Sequence, residues 1–180
     1  ISNLTDCDLP VSITDDYEVV YNASSSRVLA GTYSKLTISG NAELCGNVIV
    51  NGEVTINGEI SGGYSITANG GTVNLGENAA LADDGSSILI NGNAGSVVIN
   101  GYKGQAGIMV ANNLNATYDE NSTQVYATTY ASLKIEATTV TINNDVTVTG
   151  KFNVALETEE TLTISGNKKL TLNGEIAGGK

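Results

Sequence analysis

Short apolar–x–apolar triplets recur along most of the chain. In residues 34–110 they include Leu36-Thr-Ile38, Val48-Ile-Val50, Val54-Thr-Ile56, Val73-Asn-Leu75 and Ile88-Leu-Ile90. In residues 133–180 they resume with Leu133-Lys-Ile135, Val140-Thr-Ile142, Val146-Thr-Val148 and Leu170-Thr-Leu172. Period-two alternation places the outer residues of each triplet on one face of a strand and the middle residue on the other. Most triplets are followed closely by Gly, Asn-Gly or Gly-Asn. The pattern predicts an all-β fold of many short strands, and the phrase at 36–63 returns shortened at 162–179.

Two turn systems use Asn-Gly, which occurs at positions 51, 57, 69, 91, 100 and 173. Chance would give about two or three such pairs, and both residues tolerate positive φ. One system is the tight hairpin of an antiparallel meander. The other is the corner of a parallel β-solenoid. Only four residues separate Asn51-Gly52 from Asn57-Gly58. That is marginal for a hairpin strand but ordinary for a solenoid side, which bonds to the turns above and below it. The expectation is a β-solenoid, β-helix-like stack of short strands, with a β-sandwich or jelly roll as the alternative. The uneven triplet spacing excludes a strict short repeat.

The same pattern divides one 180-residue domain into four stretches. Residues 1–33 read as an irregular N-terminal cap, 34–110 as the repeat body, 111–132 as a polar excursion and 133–180 as C-terminal repeats. In some triplets the outward residue is itself apolar: Ile49, Leu89, Val98 and Met109. Outward apolar residues imply a second covered face, either an intramolecular layer or a subunit contact. The excursion carries Tyr118, Tyr126 and Tyr130. These read either as a solvated insertion or as a loop that meets a partner or a sugar.

Composition narrows the functional classes. The formal net charge is −11, with 8 Lys plus Arg against 19 Asp plus Glu. Nucleic acid is therefore an unsuitable partner. No apolar run approaches the roughly 20 residues of a membrane span, and no membrane insertion is expected. The chain has no His, which removes imidazole-based triads and metal sites. Adjacent carboxylates such as Asp83-Asp84 and Glu159-Glu160 would point to opposite faces of a strand and read as solvated turn charges. No enzyme activity is expected.

Neither a cofactor nor a metal is required. Ca²⁺ has room at the oxygen-rich turns Asp83-Asp84-Gly85 and Asn143-Asn144-Asp145, although neither matches a complete calcium loop. Two cysteines, Cys7 and Cys45, would close a long loop as a disulfide, stabilising by roughly 4 kcal/mol on the chain-entropy model. Four sequons place candidate N-glycans at Asn3, Asn22, Asn115 and Asn121, about the number chance gives. Three Thr-x-Thr pairs, at 139/141, 147/149 and 161/163, raise ice binding as a minor reading. The chain opens at Ile1 without a signal segment, as a processed secreted protein or a trimmed piece would.

The phrases LTISGN, VTVTG and LTLNGEI resemble the β-solenoid regions of microbial cell-surface proteins: adhesin stalks and sheath or S-layer-like proteins. The resemblance covers most of 34–110 and 133–180. It implies an extracellular, cell-surface structural subunit that self-assembles through β-edge and apolar contacts, or else a glycan-binding adhesive module. It assigns no binding residue.

Overall fold

The structure, a computed structural model, describes residues 17–22, 26–119, 121–154 and 160–178. It is an all-β solenoid, and no helix occurs among the described residues. The first turn holds β1 (Glu18–Tyr21), β2 (Ser26–Val28) and β3 (Gly31–Tyr33). The second holds β4 (Lys35–Ile38), β5 (Ala42–Leu44) and β6 (Val48–Val50), and the third β7 (Val54–Ile56), β8 (Glu59–Ser61) and β9 (Ser65–Ala68). Next come β10 (Thr72–Leu75), β11 (Ala80–Leu81) and β12 (Ser87–Ile90), then β13 (Ser96–Asn100) and β14 (Ile108–Val110). A further turn has β15 (Asn115–Tyr118) and β16 (Thr129–Tyr130), followed by β17 (Ser132–Ile135), β18 (Thr139–Ile142) and β19 (Val146–Val148). The last holds β20 (Phe152–Val154), β21 (Thr161–Ile164) and β22 (Leu170–Leu172), with β23 (Ile176–Ala177) beginning another.

Three sides result. The first is one nine-stranded sheet, β1-β4-β7-β10-β13-β15-β17-β20-β23. The second consists of β2-β5-β8-β11 and, further along, β18-β21. The third consists of β3-β6-β9-β12-β14 and then β16-β19-β22. Every pairing between these strands is parallel, for example β4 with β7 and β12 with β14. A sandwich or jelly roll built from hairpins is therefore ruled out in favour of the solenoid.

Alternation explains the core. Leu36, Val54, Val73, Ile99, Tyr118 and Ile135 form one in-register ladder down the first side, each fully buried. Stacking like on like lets each turn bury apolar area against two neighbours, at about 25 cal/mol per Å² removed from water. The uneven spacing seen in the sequence is real. Hydrogen bonds between neighbouring turns join residues 16 to 27 apart, as in Thr128–Asn112 and Val98–Gly71. The extra residues bulge out at corners and leave the strands in register.

The Asn-Gly corners work differently from the turn-chemistry expectation. Only two of the six glycines, Gly92 and Gly101, have positive φ, and none of the six asparagines does. The others are glycine because turns pass so closely at the corners. A Cβ on Gly70 would overlap the Gly52 carbonyl, and one on Gly52 would overlap the Ser34 carbonyl. The asparagines stack as a ladder: Asn91 Nδ2 donates to Asn69 Oδ1 at 3.1 Å, and Asn69 Nδ2 to Asn51 Oδ1 at 3.5 Å. Stacked carboxamides of this kind satisfy one another along the axis.

Two of the expected stretches are redrawn. β1, β2 and β3 belong to the stack as its first described turn rather than to a cap, and residues 1–16 lie outside the described residues. Residues 111–132 are no excursion, because β15 and β16 lie inside the stack. The echo at 162–179 is also displaced. Its LTIS strand, β21, lies on the second side, whereas the matching strand β4 lies on the first.

Close approach, rather than φ, separates two adjacent glycines. Gly70→Ala should destabilise by about 1–3 kcal/mol or more through overpacking. Gly71→Ala should be near neutral, since the nearest atom to an added Cβ there is Asn93 Cβ at 4.0 Å. Denaturant melts of the two variants check this, and equal effects would contradict it.

Candidate functional site

The chain's most distinctive surface is its third side. Thr32, Ile49, Thr67, Leu89 and Met109 stand in register across β3, β6, β9, β12 and β14. Ile49 and Met109 are each 40% exposed, so no described element covers the stripe. None of these five strands carries a charged residue, and neither do β16, β19 and β22. The other sides do carry charge. Arg27 pairs with Glu43 at 3.4 Å on the second side, and Lys35 with Glu53 at 2.8 Å on the first. The Lys35 ammonium holds the Glu53 carboxyl below its ordinary pKa.

Three of the four expected contact residues are thus brought together, and Thr32 and Thr67 join them. Val98 is not among them. It lies on the first side between Thr72 and Thr117, because β13, like β10 and β15, is the first-side strand of its turn. Thr32 and Thr67 belong to the stripe only by register, which no single triplet reveals.

The expected partner loop is corrected by the structure. Tyr118 and Tyr130 are fully buried, and Tyr126 packs half-buried against the core. Tyr130 Oη donates to the Tyr126 carbonyl at 2.8 Å, so the 2.8 Å hydroxyl–hydroxyl contact takes its proton from Tyr118. The Tyr126 N–H in turn donates to Tyr118 Oη at 3.1 Å. The first turn repeats this staple at equal spacing. Tyr33 Oη donates to the Leu29 carbonyl at 2.6 Å, Tyr21 Oη meets Tyr33 Oη at 3.2 Å, and Leu29 N–H donates to Tyr21 Oη at 3.4 Å. The signal was in the sequence: YNASSSRVLAGTYSKLTI at 21–38 aligns without gaps to YDENSTQVYATTYASLKI at 118–135. The two stretches that looked least repetitive are copies of one turn.

The remaining expected sites fall as follows. Asp84 ties its corner to the neighbouring turn: its carboxylate accepts the Gly62 N–H of that turn at 2.7 Å and the Ser86 N–H of its own at 2.9 Å. Hydrogen bonds from Ser86 and then Gly62 hold this carboxyl below the ordinary range. No cluster of three or more metal-ligating side chains occurs among the described residues. Thr139 stacks on Thr161 and Thr141 on Thr163, whereas Thr147 stacks on Thr171 on another side. The Thr-x-Thr array is two turns deep, and the turn before it presents Gln124.

Among the sequons, Asn22 and Asn121 are exposed, and Asn121 Nδ2 donates to Asn100 Oδ1 at 3.0 Å. Asn115 is exposed in β15, where its Oδ1 accepts the Ser132 hydroxyl at 2.7 Å. Asn3 lies outside the described residues. Cys45 is half-buried against the core, and no described cysteine is a free thiol. Its expected partner Cys7 lies outside the described residues. No protein-family model, curated protein or solved structure matches the chain.

Burial raises the pKa of Tyr33, Tyr118 and Tyr130 well above the ordinary value, and pushes Tyr102 up to about 12. Folded values above the unfolded value near 10 contribute stability that is complete below pH 10 and is lost as the pH climbs through the folded values. Melts across this range should show stability falling from about pH 10 upward, with the tyrosinate absorbance of these residues rising only as the fold is lost. A tyrosinate absorbance step that occurs with the fold intact and is missing in Tyr118→Phe or Tyr130→Phe would contradict the staple.

Proposed function

We propose that the chain is an extracellular structural module that self-associates laterally through its third side. The observation that carries this reading is the absence of charge along that side in a protein of net charge −11. Two copies repel over most of their surfaces. Approach through the first or second side would also bury charges, which is costly unless each is paired. The third side buries none. It offers a sheet face on which Ile49, Leu89 and Met109 share one row with Thr32 and Thr67, suited to sheet-on-sheet packing at about 10 Å. A self-complementary pairing about a two-fold axis meets the geometry.

The strand-edge route has less support. Val19, Tyr21, Val28 and Tyr33 of the first turn are already covered, at 0–5% exposure, while Ile164 and Ile176 of the last turns are 44% and 65% exposed. Head-to-tail stacking would need both ends open. The cell-surface setting rests on the resemblance of the strand-and-turn phrases, and a Cys7–Cys45 disulfide belongs to the same reading.

Sedimentation velocity at rising concentration tests it. The wild type should associate, and Leu89→Glu should abolish association without shifting the melting temperature by more than a few degrees, since an outward strand position carries under about 1 kcal/mol of propensity. Glu43→Gln, on the second side, should leave association intact. A wild type that stays monomeric, or a Leu89→Glu variant that associates equally, would overturn the proposal.

A further inference from the structure

A groove of about 550 Å³ runs along the first side from Gly71, ahead of β10, to Asn153 in β20. It crosses the strands, parallel to the solenoid axis. Neighbouring strands lie about 4.8 Å apart, so four strand spacings give a trough about 19 Å long, the reach of about four sugar rings. One wall is the turn between β12 and β13, where Gly92, Ala94 and Gly95 all take positive φ and Asn93 and Ser96 bond each other's backbones. The lining presents the carboxamides of Asn93, Asn115 and Asn153 and the hydroxyls of Thr117 and Ser132. It also holds Lys134 and Lys151, two of the chain's 8 cationic side chains, and no carboxylate. The lining thus carries two ammonium groups and no carboxylate on a strongly acidic protein, with the lysines' partner carboxylates, Glu136 and Glu175, outside it.

We propose that this groove binds an anionic oligosaccharide, a chain of uronate-type sugars laid along the solenoid axis. Amides and hydroxyls repeating from turn to turn suit the hydroxyls of a repeating sugar. The two ammonium groups, on adjacent turns, suit carboxylates. Lys134 contacts Glu136 and Lys151 lies 3.9 Å from Glu175, both exposed pairs. Exposed pairs are worth little, so a ligand carboxylate competes for each lysine at small cost. An extended peptide is the poorer fit. Strand addition needs a free sheet edge, whereas the strands flooring this groove are bonded on both sides. The inference is independent of lateral association, which uses outward residues of the third side and none of these.

Calorimetric titration of the intact chain at low salt tests it, using di-, tetra- and hexagalacturonate, with cellotetraose as the neutral probe. Affinity should rise from the dimer to the tetramer and then level off, and cellotetraose should bind far more weakly. The double variant Lys134→Gln/Lys151→Gln should lose about tenfold or more, as expected for paired charges in a groove. Lys168→Gln/Lys169→Gln, away from the groove, should bind as the wild type does. Absence of heat with every galacturonate, equal binding by the Lys134/Lys151 variant, or cellotetraose binding as tightly as tetragalacturonate would each overturn the proposal. The variants' circular dichroism, which should match the wild type, separates lost binding from lost fold.

Discussion

Every described strand finds its hydrogen-bond partner one turn away along the axis, and the rest of the structure follows from that stacking. Turns must repeat their backbone path at strand spacing, near 4.8 Å. Corners therefore bring backbone against backbone, and glycine is forced wherever a Cβ would enter the turn below, as at Gly52, Gly58 and Gly70. The same repetition stacks asparagine on asparagine and isoleucine on isoleucine. It leaves no described buried side-chain polar atom without a partner. The hydroxyls of the buried pair Tyr118 and Tyr130 are closed into a loop with each other and the N–H and carbonyl of Tyr126.

Much of this was legible in the sequence. Triplet alternation and the close spacing of Asn51-Gly52 and Asn57-Gly58 point to a solenoid, and the sheets are parallel throughout. The reason for the glycines was not legible, because close approach depends on the residue one turn below, which variable turn length hides. Polar neighbours disguised β15 and β16. Asp119, Asn121 and Thr123 read as loop, yet Tyr118 and Tyr130 on either side of them are core. The gapless likeness of 21–38 to 118–135 would have exposed this. Val98 went astray because a residue's side is fixed by which strand of its turn carries it, and the triplets alone do not mark that.

The three sides carry different chemistry on one scaffold. The second displays charge and, near its end, threonine. The first carries ion pairs and a groove with two lysines. The third is uncharged along all its strands, with apolar side chains in register over the five-stranded sheet. A solenoid permits this division because outward residues have no role in the core. Each face is thereby open to a separate function at little cost to stability.

The central functional claim is that copies meet through the third side, and distance is its most direct readout. Spin labels attached at Ser87→Cys, on the third side, and separately at Glu43→Cys, on the second, would be compared by dipolar spectroscopy at high protein concentration. The account predicts strong intermolecular coupling for the Ser87 label and none for the Glu43 label. Equal coupling at both positions, or coupling at Glu43 alone, would contradict it.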